Sequence, residues 1–112
     1  MKKFSEIEYV RPDMVAEQER IKEYTEALKG VRSYEELRGL FMEEKEREDI
    51  WATMAEVAQV RYTVDTRDSF YEGEVQFWNE TIPMMHLLIQ KAEKVILESP
   101  FIKQFAEEFG DF

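Results

Sequence analysis

The stretch FYEGEVQFWNETIPMMHLLIQKAEKVI, residues 70–96, decides the fold of this chain. Tyr71, Val75, Trp78, Ile82, Met85, Ile89, Ala92 and Ile96 follow one another at alternating spacings of four and three, the period of an apolar stripe along an α-helix. Phe70, Phe77, Met84, Leu88 and Val95 widen that stripe on one flank. A strand would alternate every second residue, and two unrelated helices meeting at Pro83 would have no reason to keep one phase. The segment therefore reads as one long helix, kinked between Asn79 and Pro83. There the lost N–H and the crowded Asn79 carbonyl cost on the order of 3 kcal/mol before packing compensates. The remaining chain must cover the stripe.

Working outward, residues 1–11 mix apolar and charged groups without a helical period and read as an extended segment that packs through Phe4, Ile7, Tyr9 and Val10. Pro12 suits a first helical turn and Asp13 places negative charge at its positive end, so a helix is expected over about 12–29. Its buried side carries Met14, Ile21, Tyr24, Leu28 and Val31, and Gly30 is expected to end it in a left-handed conformation. Ser33 and Glu36 form a capping box that opens a second helix over about 34–64. Leu37, Leu40 and Phe41 begin its stripe; Trp51, Met54, Val57, Ala58 and Val64 resume it. The charged block 43–49 between them reads as a solvated face. Asp65 and Thr66 make the corner, with Asp65 as cap and Asp68 in the first turn of the long helix, about 67–98. Ser99 and Pro100 then open a short helix over about 100–109, with Phe101, Phe105 and Phe109 on one side and Gly110 as its stop. The expected fold class is all-α: a long antiparallel helical hairpin with an additional N-terminal helix and a short C-terminal helix, forming one domain over residues 1–112.

Composition narrows the function classes. Fifteen basic against 25 acidic side chains give a net charge of −10, which repels phosphate backbones and anionic bilayers, so neither nucleic acid nor membrane is expected as a partner. The absence of cysteine excludes disulfides and thiolate metal sites. The first residues lack the apolar core of a secretory signal, and a cytoplasmic setting is the default expectation.

Geometry adds a partner argument. The second helix, at roughly 30 residues, is about 45 Å long, whereas the first, at roughly 18, reaches only about 27 Å. Tethered near Ser33, the first helix covers the near half of the hairpin and leaves residues 51–82 exposed. Trp51, Tyr62, Phe70 and Phe77 lie in that uncovered region and are candidates for an interface or a channel wall; Tyr71 and Trp78 lie on the main stripe and read as core. Apolar surface on this scale marks either self-association or a further part of the same protein.

Two side chains are singled out by their chemistry. Arg61 shares the phase of Ile50, Met54, Val57 and Val64, so it points into the hairpin, and a buried guanidinium needs a partner. Asp65, Asp68 or Glu72 could supply it, making Arg61, Asp65 and Asp68 a structural clamp for the corner. His86 is the only histidine. Its helical neighbours Ile82, Pro83, Ile89 and Gln90 offer no metal ligand, so no catalytic residue, metal site or cofactor is assigned to this chain.

Three segments carry a family resemblance: FSEIEYVRPD at residues 4–13, MAEVAQVRYTVDTRDSFYEGE at 54–74 and SPFIKQFAEEFG at 99–110. In order and spacing they resemble the N-terminal region of oligoendopeptidase F type zinc metallopeptidases, in the thimet oligopeptidase superfamily. The resemblance implies an all-helical wall or lid of a peptide channel, non-catalytic by itself, with oligopeptide substrates in the complete enzyme. It also implies that zinc belongs to a catalytic domain absent from these residues, because no HExxH motif is present. The alternative is a stand-alone helical interaction module, burying the same surface in a homodimer.

Overall fold

A computed structural model describes residues 6–110; Phe4, expected to anchor the extended segment, lies outside them. The described chain is four helices without a strand: α1 (Met14–Lys29), α2 (Tyr34–Val64), α3 (Ser69–Leu97) and α4 (Ile102–Phe109). Helices α2 and α3 form the long antiparallel hairpin, α1 packs against both, and α4 packs on α2.

Local chemistry sets each helix end, and several ends differ from the sequence reading. Asp13 is not in the first turn of α1 but caps it, its Oδ1 accepting from Ala16 N at 3.1 Å, so the helix starts two residues later than Pro12 suggested. Gly30 ends α1 at φ −103°, not in the left-handed region; its N–H donates to the Ala27 carbonyl at 3.1 Å, a tightened last turn that any residue could make. Ser33 caps α2 as expected, accepting from Glu36 N at 3.1 Å, but the returning Glu36 carboxylate takes the Arg32 N–H at 2.8 Å. Asp68, not Asp65, caps α3, accepting from Phe70 N at 2.9 Å and Tyr71 N at 3.3 Å. Asp65 instead closes α2 through its own N–H to the Arg61 carbonyl. Helix α3 continues through Pro83, which is exposed. Ser99 accepts from Phe101 N at 3.1 Å, and α4 begins at Ile102 with no side-chain cap. Gly110, at φ 87°, is the only described residue with positive φ.

The buried side chains form two apolar clusters. Met14, Ile21, Trp51, Ala58, Trp78 and Met85 make one; Leu28, Leu37, Phe41, Ala92, Ile96 and Phe105 make the other, nearer the α2 N-terminus. In the first, Trp51 and Trp78 stack across the hairpin with centroids 6.5 Å apart and planes 13° from parallel. In the second, Phe105 meets Phe41 edge to face at 4.8 Å, which fastens α4 to α2. Arg38 Nε adds an ion pair to Glu108 at 2.7 Å.

Between the clusters lies a polar layer, and it corrects the expectation that block 43–49 is wholly solvated. Glu44 is 4% exposed and its carboxylate is paired with Arg20 of α1, which also donates from Nε to Glu17 at 2.6 Å. Residues 37, 41, 44, 48 and 51 repeat at spacings of four and three, so Glu44 and Glu48 occupy positions in the apolar phase. The stripe also ends earlier than expected, since Val64 is 83% exposed, and Ile50, read as sharing its phase, is 55% exposed.

Replacing Phe105, which is 1% exposed, by Ala should lower stability by about 3–5 kcal/mol. The same change at exposed Phe70 should cost well under half of that. Urea unfolding of the two variants measures the difference.

Candidate functional site

The uncovered end of the hairpin is not left bare. Residues 6–13, the extended segment ahead of α1, run across it as a strap, and side chains from α2 and α3 converge on that strap. The centre is Glu74, only 6% exposed on α3. Its Oε1 accepts from the Tyr9 hydroxyl at 2.7 Å and from Arg11 Nε at 2.9 Å, and Arg11 Nη2 reaches Oε2. The Tyr9 hydroxyl in turn accepts from Trp78 Nε1 at 3.0 Å. A buried carboxylate is tolerated here because a two-point guanidinium contact and a phenol satisfy it.

The electrostatics follow from this arrangement. Hydrogen bonding to Arg11 holds the Glu74 carboxyl below its ordinary value of 4.5. Burial, reinforced by Glu74, pushes the Tyr9 hydroxyl up to about 12. Rings complete the seat: Tyr9 packs edge to face on Phe70 at 6.0 Å and on Tyr71 at 5.6 Å, and the Arg11 guanidinium lies 3.9 Å from the Phe77 ring centroid.

The residues singled out from the sequence fall into three groups. Phe70, Phe77 and Arg61 come together around the strap. Trp51, placed among interface candidates, is 5% exposed and belongs to the core, because its helical phase points at Trp78; Tyr62 is half-buried on α2. Arg61 does join elements, donating to the Tyr71 hydroxyl at 2.8 Å and to the Ile7 carbonyl. Asp65 and Asp68 are engaged elsewhere. Asp65 accepts from Arg67 N at 3.0 Å and forms an exposed ion pair with its side chain, while Asp68 is occupied by capping. Thus Arg61 ties the strap to the hairpin, and the two aspartates shape the turn.

Sequence reasoning missed Arg11, Tyr9 and Glu74 as a unit. One signal was available: Glu74 stands in phase with Tyr71 and Trp78, a charged residue on a buried stripe. With the strap in place, Val60 (39% exposed), Val64 and Phe70 (56%) remain as outward apolar groups at the far end of the hairpin. Among the described residues no set of three His, Cys, Asp or Glu side chains is disposed to hold a metal ion. His86, the only histidine, is exposed, so the donor set does not fit a zinc centre. Among the described residues no helix is long and apolar enough to cross a membrane.

The family described as Peptidase M3 N-terminal domain matches residues 4–112. Two solved structures share the fold at a TM-score of 0.90. One is PZ peptidase A with an inhibitor, 28% identical, matched over 96% of this chain and 19% of that one. The other is described as an oligoendopeptidase F, 29% identical, matched over 98% of this chain and 20% of that one. The chain thus spans about a fifth of the length of the peptidases it matches. No curated protein matches its sequence.

Two variants test the strap. Glu74→Gln should lower stability at neutral pH by about 1–3 kcal/mol, toward the lower end because the Arg11 side chain is 46% exposed. A depressed carboxyl stabilises the fold above its ordinary value and loses that contribution as pH falls through the depressed one. The wild type should therefore lose stability more steeply than the variant below about pH 4.5; thermal melts across an acid series check this. Arg61→Met should keep the helical content and speed amide exchange at residues 7–11, read by NMR.

Proposed function

The chain belongs to the peptidase M3 N-terminal domain family, and on that premise we propose that it is a wall or lid of a peptide channel, non-catalytic by itself. The observation that carries this reading is the pair of coverages: nearly all of this chain superposes on a fifth of a peptidase chain. A segment of that proportion, with one histidine and no HExxH motif, has the composition of a shaping element. In this reading the catalytic zinc, the oligopeptide substrate and the general base are met in a catalytic domain outside these 112 residues, in a cytoplasmic enzyme.

The structure supports the reading through what it leaves outward. The strap engages Glu74 and Trp78 at the hairpin's far end, yet Val60, Val64 and Phe70 remain exposed there, and desolvating such groups on a neighbouring domain is favourable by roughly 25 cal/mol per Å2 of apolar area. The rigid hairpin behind them would hold a channel wall in place without contributing to bond cleavage.

Mixing this chain with an oligoendopeptidase F catalytic portion that lacks its own N-terminal fifth provides the test. A one-to-one complex by sedimentation is expected, weakened at least tenfold by the double change Val64→Asp and Phe70→Asp, with no cleavage of a fluorogenic peptide by this chain alone even with added zinc. Failure to form the complex, with concentration-dependent dimers in its place, would overturn the reading in favour of a self-associating interaction module.

A further inference from the structure

A site independent of the channel reading lies in the polar layer between the two apolar clusters. Glu44 and Glu48 stand one turn apart on α2, the first 4% exposed and the second with its side chain 15% exposed. Arg20 takes one oxygen of Glu44. The other, Oε2, is buried with no hydrogen-bond partner, and Glu48 stands one turn on along the same face of α2. Two carboxylates can only accept; a hydrogen bond between them needs a proton. An orphaned buried carboxylate oxygen has lost its water without a replacement, so the arrangement favours the protonation state that satisfies it.

We infer that the Glu44–Glu48 pair is a proton-binding site built into the α1–α2 interface, holding one shared proton at neutral pH and so tying α2 to Arg20 of α1.

The charged surroundings agree. From α1 the pair meets Arg20, already shared with Glu17, and Tyr24, whose hydroxyl is pushed up by burial and by the nearby acids. Glu23 of α1 and Glu43 and Arg47 of α2 edge the groove beside Glu44. Lys45 approaches Glu48 at 3.8 Å but is half exposed and weakly effective. Asp49 and Glu56 of α2, with His86 and Glu93 of α3, line the groove on the Glu48 side. Among the described residues the cation paired with Glu44 is Arg20, which is already shared with Glu17, so a full negative charge at Glu48 is met mainly by the half-exposed Lys45. Burial, followed by the bond to Glu44 and its charge, pushes the Glu48 carboxyl up to about 8.

A raised carboxyl contributes stability that is complete below the ordinary value of 4.5 and is lost as pH rises through about 8. Between those limits the folded chain carries one proton more than the unfolded chain. Its unfolding equilibrium constant should therefore rise as much as tenfold per pH unit from this site.

Two measurements on the 112-residue chain decide the matter. Carbon-detected NMR of the glutamate carboxyls should show Glu48 titrating near pH 8; a midpoint near 4.5 would overturn the proposal without any variant. Urea unfolding of the wild type and Glu48→Gln between about pH 5 and 8 should differ in slope, the amide donating to Glu44 at every pH and removing this component. His86 is common to both proteins, so its protonation cancels in the difference. Equal slopes would overturn the proposal as well.

Discussion

A mismatch of lengths governs this structure. Helix α1 has 16 residues and the hairpin arms 31 and 29, which at 1.5 Å per residue is about 24 Å of helix against arms of about 46 and 43 Å. No single helix of that length can bury both ends of such a hairpin, and an apolar stripe cannot stay in water. The fold answers with two different covers: α4 brings Phe105 and Phe109 over the near end, and the strap brings Tyr9 and Arg11 over the far end. The molecule is 51 Å along its longest axis, close to the length of the hairpin itself.

The two covers obey different chemistry because they are different kinds of chain. An amphipathic helix satisfies its own backbone and can offer rings to the core. An extended strap has open N–H and C=O groups and must find partners for them, which is why Arg61 reaches the Ile7 carbonyl. The far end is accordingly held by hydrogen bonds and ring edges, the near end by apolar packing. The middle is a polar layer in which Arg20 and Glu44 fix where α1 sits along α2. Buried charges of this kind contribute little net stability but penalise a shifted register heavily, since a slip of one turn would set Glu44 opposite Glu17 or Tyr24 in place of the Arg20 guanidinium.

Much of this was legible in the residues, and the failures share a cause. Periodicity identified the helices and most buried positions, because a stripe is a local property: Trp78, Met85, Ala92 and Ile96 can be read from their own neighbours. What covers a stripe is not local. Glu44 and Glu74 both stand in the apolar phase, and that phase was the signal that they were buried, but their partners Arg20 and Arg11 lie 24 and 63 residues away. Trp51 is buried against Trp78 in a cluster that also holds Met14 and Ile21 of α1, a shelter that the length of the first helix did not reveal. At the helix ends the confusion was between equals: Asp65 and Asp68 are the same residue type three positions apart and both are extended, and what separates them is the backbone N–H each meets, Asp68 accepting from Phe70 and Tyr71 inside α3 and Asp65 from Arg67 in the turn.

The strap also carries a consequence for the order in which the molecule assembles. The two helical turnarounds, between α1 and α2 and between α2 and α3, are short and can close early. The strap's contacts join Tyr9 to Glu74 across 65 positions and Arg61 to Ile7 across 54. Closing a long loop is entropically unfavourable until much of the intervening chain is already compact. The hairpin and its near end are thus expected to form first and the strap to dock last. During synthesis Tyr9 and Arg11 would wait, without their native partner, for the carboxylate of Glu74 before finding their place.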